Sequence, residues 1–444
     1  MLKVLANRTY RHLFLAQVIA LVGTGLATVA LGLLAYEIAG ADAGAVLGTA
    51  LAIKMIAYIG IAPVVGAYAD RLPRKGLLVA MDLVRAGVAL VLPFVDAVWQ
   101  VYLLIFLLQS ASAAFTPTFQ ATIPEILPDE DEYTNALSLS RLAYDLESLL
   151  SPMIAALLLT VMSFHWLFAG TSAGFVVSAL LVLTSALRHR EAATRAVESV
   201  WRKTTRGVRI YLKTPRLVGL LAVTLAAAAG SAMVIVNTVV IVRQQGGSQQ
   251  DVALALAAYG AGSMLVALVL PRILRRFSER AAMLIGAAVL SGVLITFAIT
   301  TPALSSDAMW PFLLAGWLVM GAGYSLCVTP GGRLLRKSSN EADRPALFAA
   351  QFALSHVCWL VAYPVAGQAG ALLGMPAAFA LLAAIAITGL VAGLWKWPAA
   401  DPEAVEHVHT DLPAGHPHLA EHGGGAHRHP YVIDDLHMEW PQRN

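Results

Sequence analysis

The chain has 444 residues, of which 58% are hydrophobic and 13% charged, and its mean hydropathy is +0.70. Soluble domains run at about 45–50% apolar and about 25% charged residues, and a water-soluble fold of this size could neither hide so much apolar surface nor cover it with so few charges. A soluble enzyme, a secreted disulfide scaffold and a disordered chain are thereby excluded. Cys327 and Cys358 both lie inside apolar runs and imply no disulfide framework.

A helix crossing a bilayer needs roughly 20 mostly apolar residues. Runs of that length are predicted at 13–39, 45–69, 76–95, 98–122, 135–161 and 165–187, and again at 217–242, 252–271, 281–301, 309–330, 346–372 and 375–397. The first run is too long for a cleavable signal peptide and lacks its small-residue cleavage site. Continuous apolar runs containing Gly and Pro fit helices and not barrel strands, which alternate. The expected fold is an all-α integral membrane protein with twelve transmembrane helices in two six-helix halves. The halves are 1–187 and 217–397, with a linker at 188–216 and a tail at 398–444.

The formal charge of +3 says little as a total. Resolved along the chain, an N-in orientation puts 26 of the 30 Lys and Arg residues on the cytoplasmic side, nine of them between Arg188 and Arg216. Only Arg243 falls in an external loop, while Lys54, Arg85 and Arg141 fall within spans. Under the positive-inside rule both termini are cytoplasmic. The basic, amphipathic linker reads as a topology determinant lying along anionic headgroups.

Between the second and third spans stands Gly66-Ala67-Tyr68-Ala69-Asp70-Arg71-Leu72-Pro73-Arg74-Lys75. An Asp beside several cations at a helix end can accept hydrogen bonds from a neighbouring helix N-terminus, which provides a latch that forms in one state and breaks in another. The stretch resembles the loop signature of the major facilitator superfamily, G-x-L-A-D-R-x-G-R-K. Gly66, Ala69, Asp70, Arg71, Arg74 and Lys75 match it, Tyr68 replaces Leu and Pro73 replaces Gly. Pro271-Arg272-Ile273-Leu274-Arg275-Arg276 reads as a degraded second copy without the acidic residue. The resemblance implies the major facilitator fold and alternating access by two halves rocking about a central site. No phosphate-binding G-x-x-x-x-G-K-[ST] loop is present, so ATP is not expected as a direct energy source.

Charges inside a span are functional candidates by default. The fifth span carries Arg141, Asp145 and Glu147. Arg141 and Asp145, at i and i+4, can pair on one face, as a structural ion pair or a functional one. Glu147 lies about 200° round the helix from Asp145 and reads as a protonatable or ligand-binding carboxylate. Lys54 in span two can pair with a carboxylate or snorkel outward. Span eleven holds His356 and Cys358. Asp82 and Arg85 read as a network at the cytoplasmic end of span three, with Gln109 and Asn237 as weaker cavity candidates. The family resemblance places spans five and eleven in comparable positions, with carboxylates facing imidazole and thiol across a cavity, a donor set that suits Ni, Co or Zn.

Beyond Trp397 the composition changes abruptly. The last 47 residues hold eight of the twelve histidines: His407, His409, His416, His418, His422, His427, His429 and His437. Hydrophobic periodicity is absent, so the tail is expected to be disordered, with its imidazoles binding metal. Structural-zinc spacing is missing, which argues against a rigid site. Together with the opening Asn7-Arg8-Thr9-Tyr10-Arg11-His12-Leu13-Phe14, the chain resembles the branch of the superfamily that holds macrolide and siderophore exporters, and within it the nickel-resistance exporters with a His-rich terminus.

These features lead to the expectation of a proton-coupled exporter of divalent metal in a bacterial inner membrane, nickel first and cobalt next. Nickel (or cobalt or zinc) serves as substrate and tail ligand, lipid and protons are the other partners, and neither a resident cofactor nor nucleic acid is expected. One alternative is an exporter of an organic compound, such as a macrolide or siderophore, whose tail buffers metal. Another is a membrane-anchored metal sensor or store without transport. No nucleophile constellation or cofactor loop points to an enzyme.

Overall fold

The computed structural model describes residues 2–68, 73–185, 200–340, 343–401, 404–408 and 426–441, with some side chains inside these ranges left undescribed. The first half is α1 (Arg8–Ala39), α2 (Ala43–Tyr68), α3 (Arg74–Val91), α4 (Val98–Ile126), α5 (Glu130–Leu159) and α6 (Phe164–Thr184). A shorter linker helix, α7 (Val200–Lys213), leads to α8 (Pro215–Gln244), α9 (Gln249–Ile273), α10 (Glu279–Thr300) and α11 (Ser306–Val328). A two-turn α12 (Gly331–Lys337) precedes α13 (Arg344–Leu373) and α14 (Met375–Lys396). The twelve long helices match the twelve expected spans. Ten stretches among the described residues are long and apolar enough to cross a bilayer, and the first of them runs through both α1 and α2. Helix α5 is not among them; its sequence carries six charged residues.

Helix starts are set by short polar side chains that accept otherwise unpaired backbone amides. Asn7 accepts from the Tyr10 amide at 3.1 Å, Asp129 from the Glu132 amide at 3.0 Å, and Ser248 forms a reciprocal pair with Asp251. The tight α13–α14 turn is made at Gly374, whose φ of 87° favours a residue without a β-carbon.

Each half packs around its own helices: α1, α3 and α6 with α2 and α4 in the first, α8 and α10 with α14 and α9 with α11 in the second. The second half has an aromatic centre in which Phe297 packs against Phe312, Trp317 and Phe379, and Trp317 donates to Thr238 at 2.7 Å. The halves meet mainly through α2 against α13 and α5 against α9. At the bundle end that carries the α1–α2 turn, backbone meets backbone. A β-carbon at Gly367 would collide with the Gly44 carbonyl, and one at Gly48 would stand 2.5 Å from the Tyr363 carbonyl. Beside this crossing Asn237 donates to Ala366 O at 2.9 Å, and at the same end Gln250 donates to Leu159 O at 3.0 Å.

The tail is more ordered than its composition suggests. Strands β1 (Ala404–His407) and β2 (His427–Pro430) pair antiparallel, His407 opposite His427. The segment after β2 buries Tyr431 and Ile433 in the main core cluster and packs Trp440 against it. That apolar island, burying against α7 and α8, supplies the driving force that the His-rich sequence around it lacks.

Candidate functional site

The central candidates sit near the middle of their helices. Gly25 on α1 brings that helix close to α5: a β-carbon there would clash with Ser151 and stand 2.7 Å from Glu147 Oε1. Across from this pair, Lys54 on α2 lies within electrostatic reach of Glu147, and also of His356 on α13. The imidazole of His356 is fixed on two sides. Its Nδ1 lies 2.6 Å from the Phe352 carbonyl, which can only accept, so that nitrogen carries the proton and Nε2 presents the lone pair. The ring stacks on Tyr58 with centroids 5.3 Å apart and an interplanar angle of 13°, and packs tilted against Phe352 at 4.1 Å.

Of the residues expected to line the path, Lys54, Glu147 and His356 are thus brought together by four helices from both halves. Cys358 is not with them. Two residues along the helix from His356, it turns to the opposite face, buries beside Tyr211 of α7 and bonds the Leu354 carbonyl at 3.6 Å. The imidazole and the thiol therefore do not face the carboxylates from one side together, because residues two apart on a helix point about 200° apart. The side chains of Arg141 and Asp145 lie outside the described residues. Gly25, Ser151, Tyr58 and Phe352 are additional contributors. Tyr58 follows Lys54 by four residues and Phe352 precedes His356 by four, a spacing that puts each pair on one helix face.

Asp82 and Arg85 form a fully buried pair within the first half. Ser178 of α6 donates to the other carboxylate oxygen at 2.7 Å, and the guanidinium lies over Phe115 and Phe175 at 4.3 and 4.5 Å from the ring centroids. The group joins α3, α4 and α6 away from the path. Of the loop signature, Gly66 lies in the last turn of α2 and Arg74 opens α3, while Asp70 and Arg71 lie outside the described residues. Lys75 donates to the Ser185 carbonyl at 2.9 Å, tying α3 to the end of α6.

At the bundle end that holds both chain termini, α7 is fastened to α13. Gly207 lets the two backbones meet at Ala346, Tyr211 bonds Gln351, and Arg206 donates to Asp343, at the start of α13, at 2.6 Å. The same guanidinium donates to Asp435 of the tail at 3.0 Å. These two carboxylates push Arg206 above its already high ordinary value, Asp343 foremost. Nearby, Lys213 donates to the Met438 carbonyl at 2.9 Å, and the buried Arg216 pairs with Asp401 at 3.1 Å under the Trp440 ring.

Four of the eight tail histidines fall among the described residues: His407, His427, His429 and His437. One ring nitrogen from each of His407, His429 and His437 lies within 4.8 Å of the others, the group among the described residues able to hold a metal ion. The β1–β2 pairing and the docked segment after it bring residues 30 apart in sequence to one point. Burial, with the neighbouring His429, His437 and His427 imidazoles, pulls His407 down to about 4, so its ring is neutral at pH 7. Burial raises the Asp434 carboxyl, but hydrogen bonds from the His437 ring and backbone and from the Leu436 amide outweigh it and hold Asp434 below its ordinary range. His409, His416, His418 and His422 lie outside the described residues.

Comparison with known proteins agrees with this architecture. Among solved structures, the nucleoside transporter NupG superposes with a TM-score of 0.65 at 14% identity, covering 88% of this chain and all of that one. The D-xylose-proton symporter gives 0.62 at 15% identity, covering 88% and 96%. Among curated proteins, macrolide efflux protein A of Enterococcus faecalis is 28% identical over 147 residues, 31% of this chain and 45% of that one. The Streptococcus pyogenes macrolide efflux protein A is 28% identical over 142 residues, covering 31% and 35%. The chain therefore spans less than half the length of the curated relatives it matches. The family model of the Major Facilitator Superfamily matches residues 13–306 and 220–430. The chain belongs to the Major Facilitator Superfamily.

Proposed function

We propose that this transporter exports divalent metal cations, nickel first and cobalt next, from the cytoplasm of a bacterium across its inner membrane. The distribution of Lys and Arg supports a cytoplasmic position for the bundle end that holds both termini. The observation that carries the metal reading is the convergence of three tail imidazoles on one point at that end. Neutral imidazole is the commonest ligand for such ions. The path groups are compatible with it: Glu147 and His356 offer an oxygen and a nitrogen donor, and both suit borderline divalent cations.

Lys54 gives the path its exchange logic. Lys54 lies within electrostatic reach of Glu147, and in this reading its ammonium is the counter-cation with which a proton or a metal ion reaching Glu147 has to compete. One carboxylate that accepts ammonium, metal or proton in turn couples metal release to proton entry. The competition also keeps the ion from binding too tightly to leave.

A second reading, export of an organic compound, is favoured by the aromatic wall that Tyr58 and Phe352 build around His356 and by the macrolide efflux relatives. In that reading the tail serves only as a metal buffer. A tolerance panel in a sensitive host distinguishes the two: nickel, cobalt, zinc, iron and a macrolide. The metal reading expects protection against nickel or cobalt that is lost in Glu147→Gln at normal protein levels. Protection against the macrolide alone overturns it. Metal binding without flux in proteoliposomes points instead to a sensor or store.

A further inference from the structure

The three converging histidines are arranged as ligands and not as a chance stack. His407 Nδ1 lies 3.0 Å from the Val405 carbonyl, His429 Nδ1 lies 2.8 Å from the Pro430 carbonyl, and His437 Nδ1 lies 2.9 Å from Asp434 Oδ1. Carbonyl and carboxylate oxygens only accept, so each Nδ1 carries a proton, which leaves Nε2 as the nitrogen each neutral ring can offer to an ion. His407 Nε2 and His437 Nε2 face each other at 3.1 Å. A proton on one of the two nitrogens can bridge them, and a divalent cation taking its place is held by both rings. The His407–His437 spacing is close to what an ion needs, since nitrogens at about 2.0–2.1 Å from a tetrahedral centre stand about 3.3 Å apart, and the third nitrogen of the group, within 4.8 Å, draws in on binding. Asp434 holding His437 is the carboxylate–histidine arrangement that orients a metal ligand and raises its basicity.

The same tail segment is wired to the transport helices. Asp435, two residues before His437, shares the Arg206 guanidinium with Asp343 at the start of α13. Lys213 holds the Met438 carbonyl one residue after it. Tyr431, Ile433 and Trp440 bury against the core. An ion bound between the β1–β2 strands and His437 would therefore fasten the whole tail to α7 and to the first turn of α13, the helix that carries His356.

We propose that His407, His429 and His437 form one site for a borderline divalent cation such as nickel, cobalt or zinc, positioned by Asp434, and that its occupancy clamps α7 to α13 and so sets the rate of transport. This regulation holds whichever cargo the membrane path carries.

The test is a cobalt titration of the purified full-length chain in lipid nanodiscs, followed by the visible absorption of Co2+ and by backbone hydrogen exchange over residues 344–351. One high-affinity equivalent is expected, with an intense visible band from a site of low coordination number, and exchange over 344–351 should slow about tenfold on binding. His437→Ala should lower affinity by about 100-fold and Asp434→Asn by about 10–100-fold. The joint His416→Ala, His418→Ala and His422→Ala variant should keep the tight site within about threefold. Arg206→Ala should bind cobalt normally yet lose the slowing of exchange. The site is overturned if the Asp434→Asn variant binds like wild type, if the joint variant loses the tight equivalent, or if cobalt binds only as several equal, weak equivalents. The clamp is overturned if exchange over 344–351 is unchanged by metal. A Glu147→Gln background separates this proposal from the cargo reading, since that variant should lose metal flux and retain the tail site in full.

Discussion

Gly25 of α1 lies directly against the Glu147 carboxylate of α5, so closely that an added β-carbon would stand 2.7 Å from Oε1 and overlap the Ser151 side chain. The acidic group at the centre of the path is therefore positioned by the absence of a side chain on its neighbour. Gly25→Ala should cut transport to roughly one tenth or less, because a displacement of about 1 Å at a binding group is enough for losses of that size. Protein levels should stay within about twofold. Restoring room with Ser151→Gly in the same chain should recover much of the loss, and an assay in everted vesicles reads all three. Full activity in Gly25→Ala would show that Glu147 does not need its present position.

Lys54 should act on release more than on capture. If its ammonium competes for Glu147, then Lys54→Ala leaves the arriving cation without a rival, and both KM and kcat should fall, each by about tenfold. A rise in KM with kcat unchanged would place Lys54 in cargo binding and against the competition. Initial-rate flux measurements over a range of cargo concentrations decide between these outcomes.

Breaking the buried Asp82–Arg85 pair should destabilise the first half without touching the path. Removing one partner of such a pair strands a charge in a low-dielectric interior and costs about 3–5 kcal/mol. Asp82→Asn should lower the unfolding temperature in detergent markedly, while Ser178→Ala, which deletes a single hydrogen bond to a charged group, should cost about 1.5–3 kcal/mol. Replacing both Asp82 and Arg85 by apolar residues should be milder than either single change. A double variant as unstable as Asp82→Asn would contradict the account.

The glycine crossing between α2 and α13 should govern which end of the bundle is closed. A β-carbon at Gly48 would stand 2.5 Å from the Tyr363 carbonyl, and one at Gly367 would meet the Gly44 backbone. Either change to Ala should therefore favour the alternative state. Labelling of a cysteine placed on the α2 side of the crossing should rise several-fold, measured with a membrane-impermeant reagent in intact cells. Unchanged labelling would remove this contact from the gate.

The twelve helices were legible in the sequence because each span announces itself as an uninterrupted apolar run, whatever its neighbours do. Lys54, Glu147 and His356 were legible for the complementary reason: a titratable group is costly in such a run and stands out from it. What the sequence hid were directions and docking. Cys358 was expected to face the cavity with His356, and only the position of α7 shows that it faces the other way. The glycines at 25, 48 and 367 are indistinguishable in the sequence from the many that merely accompany apolar helices. The order of the tail escaped because it depends on a few apolar residues, Tyr431, Ile433 and Trp440, too few and too irregularly spaced to form a periodic pattern. Their value becomes apparent only against the surface of α7 and α8 that receives them. The histidine site followed the same course, since His407 and His437 are 30 residues apart and meet only once the strands have paired.

The backbone-on-backbone crossing of α2 and α13 has one more consequence. Carbonyls and α-carbons pressed together through Gly44, Gly48 and Gly367 have no ionisable group to titrate and no charge for dissolved salt to screen. Parting them should be indifferent to acidity and ionic strength over the physiological range. Under the proposed proton-coupled cycle, the sensing would then fall some distance away, at Glu147 and its companions. The closure itself behaves as a passive seam, ready to open when the centre of the molecule changes its charge.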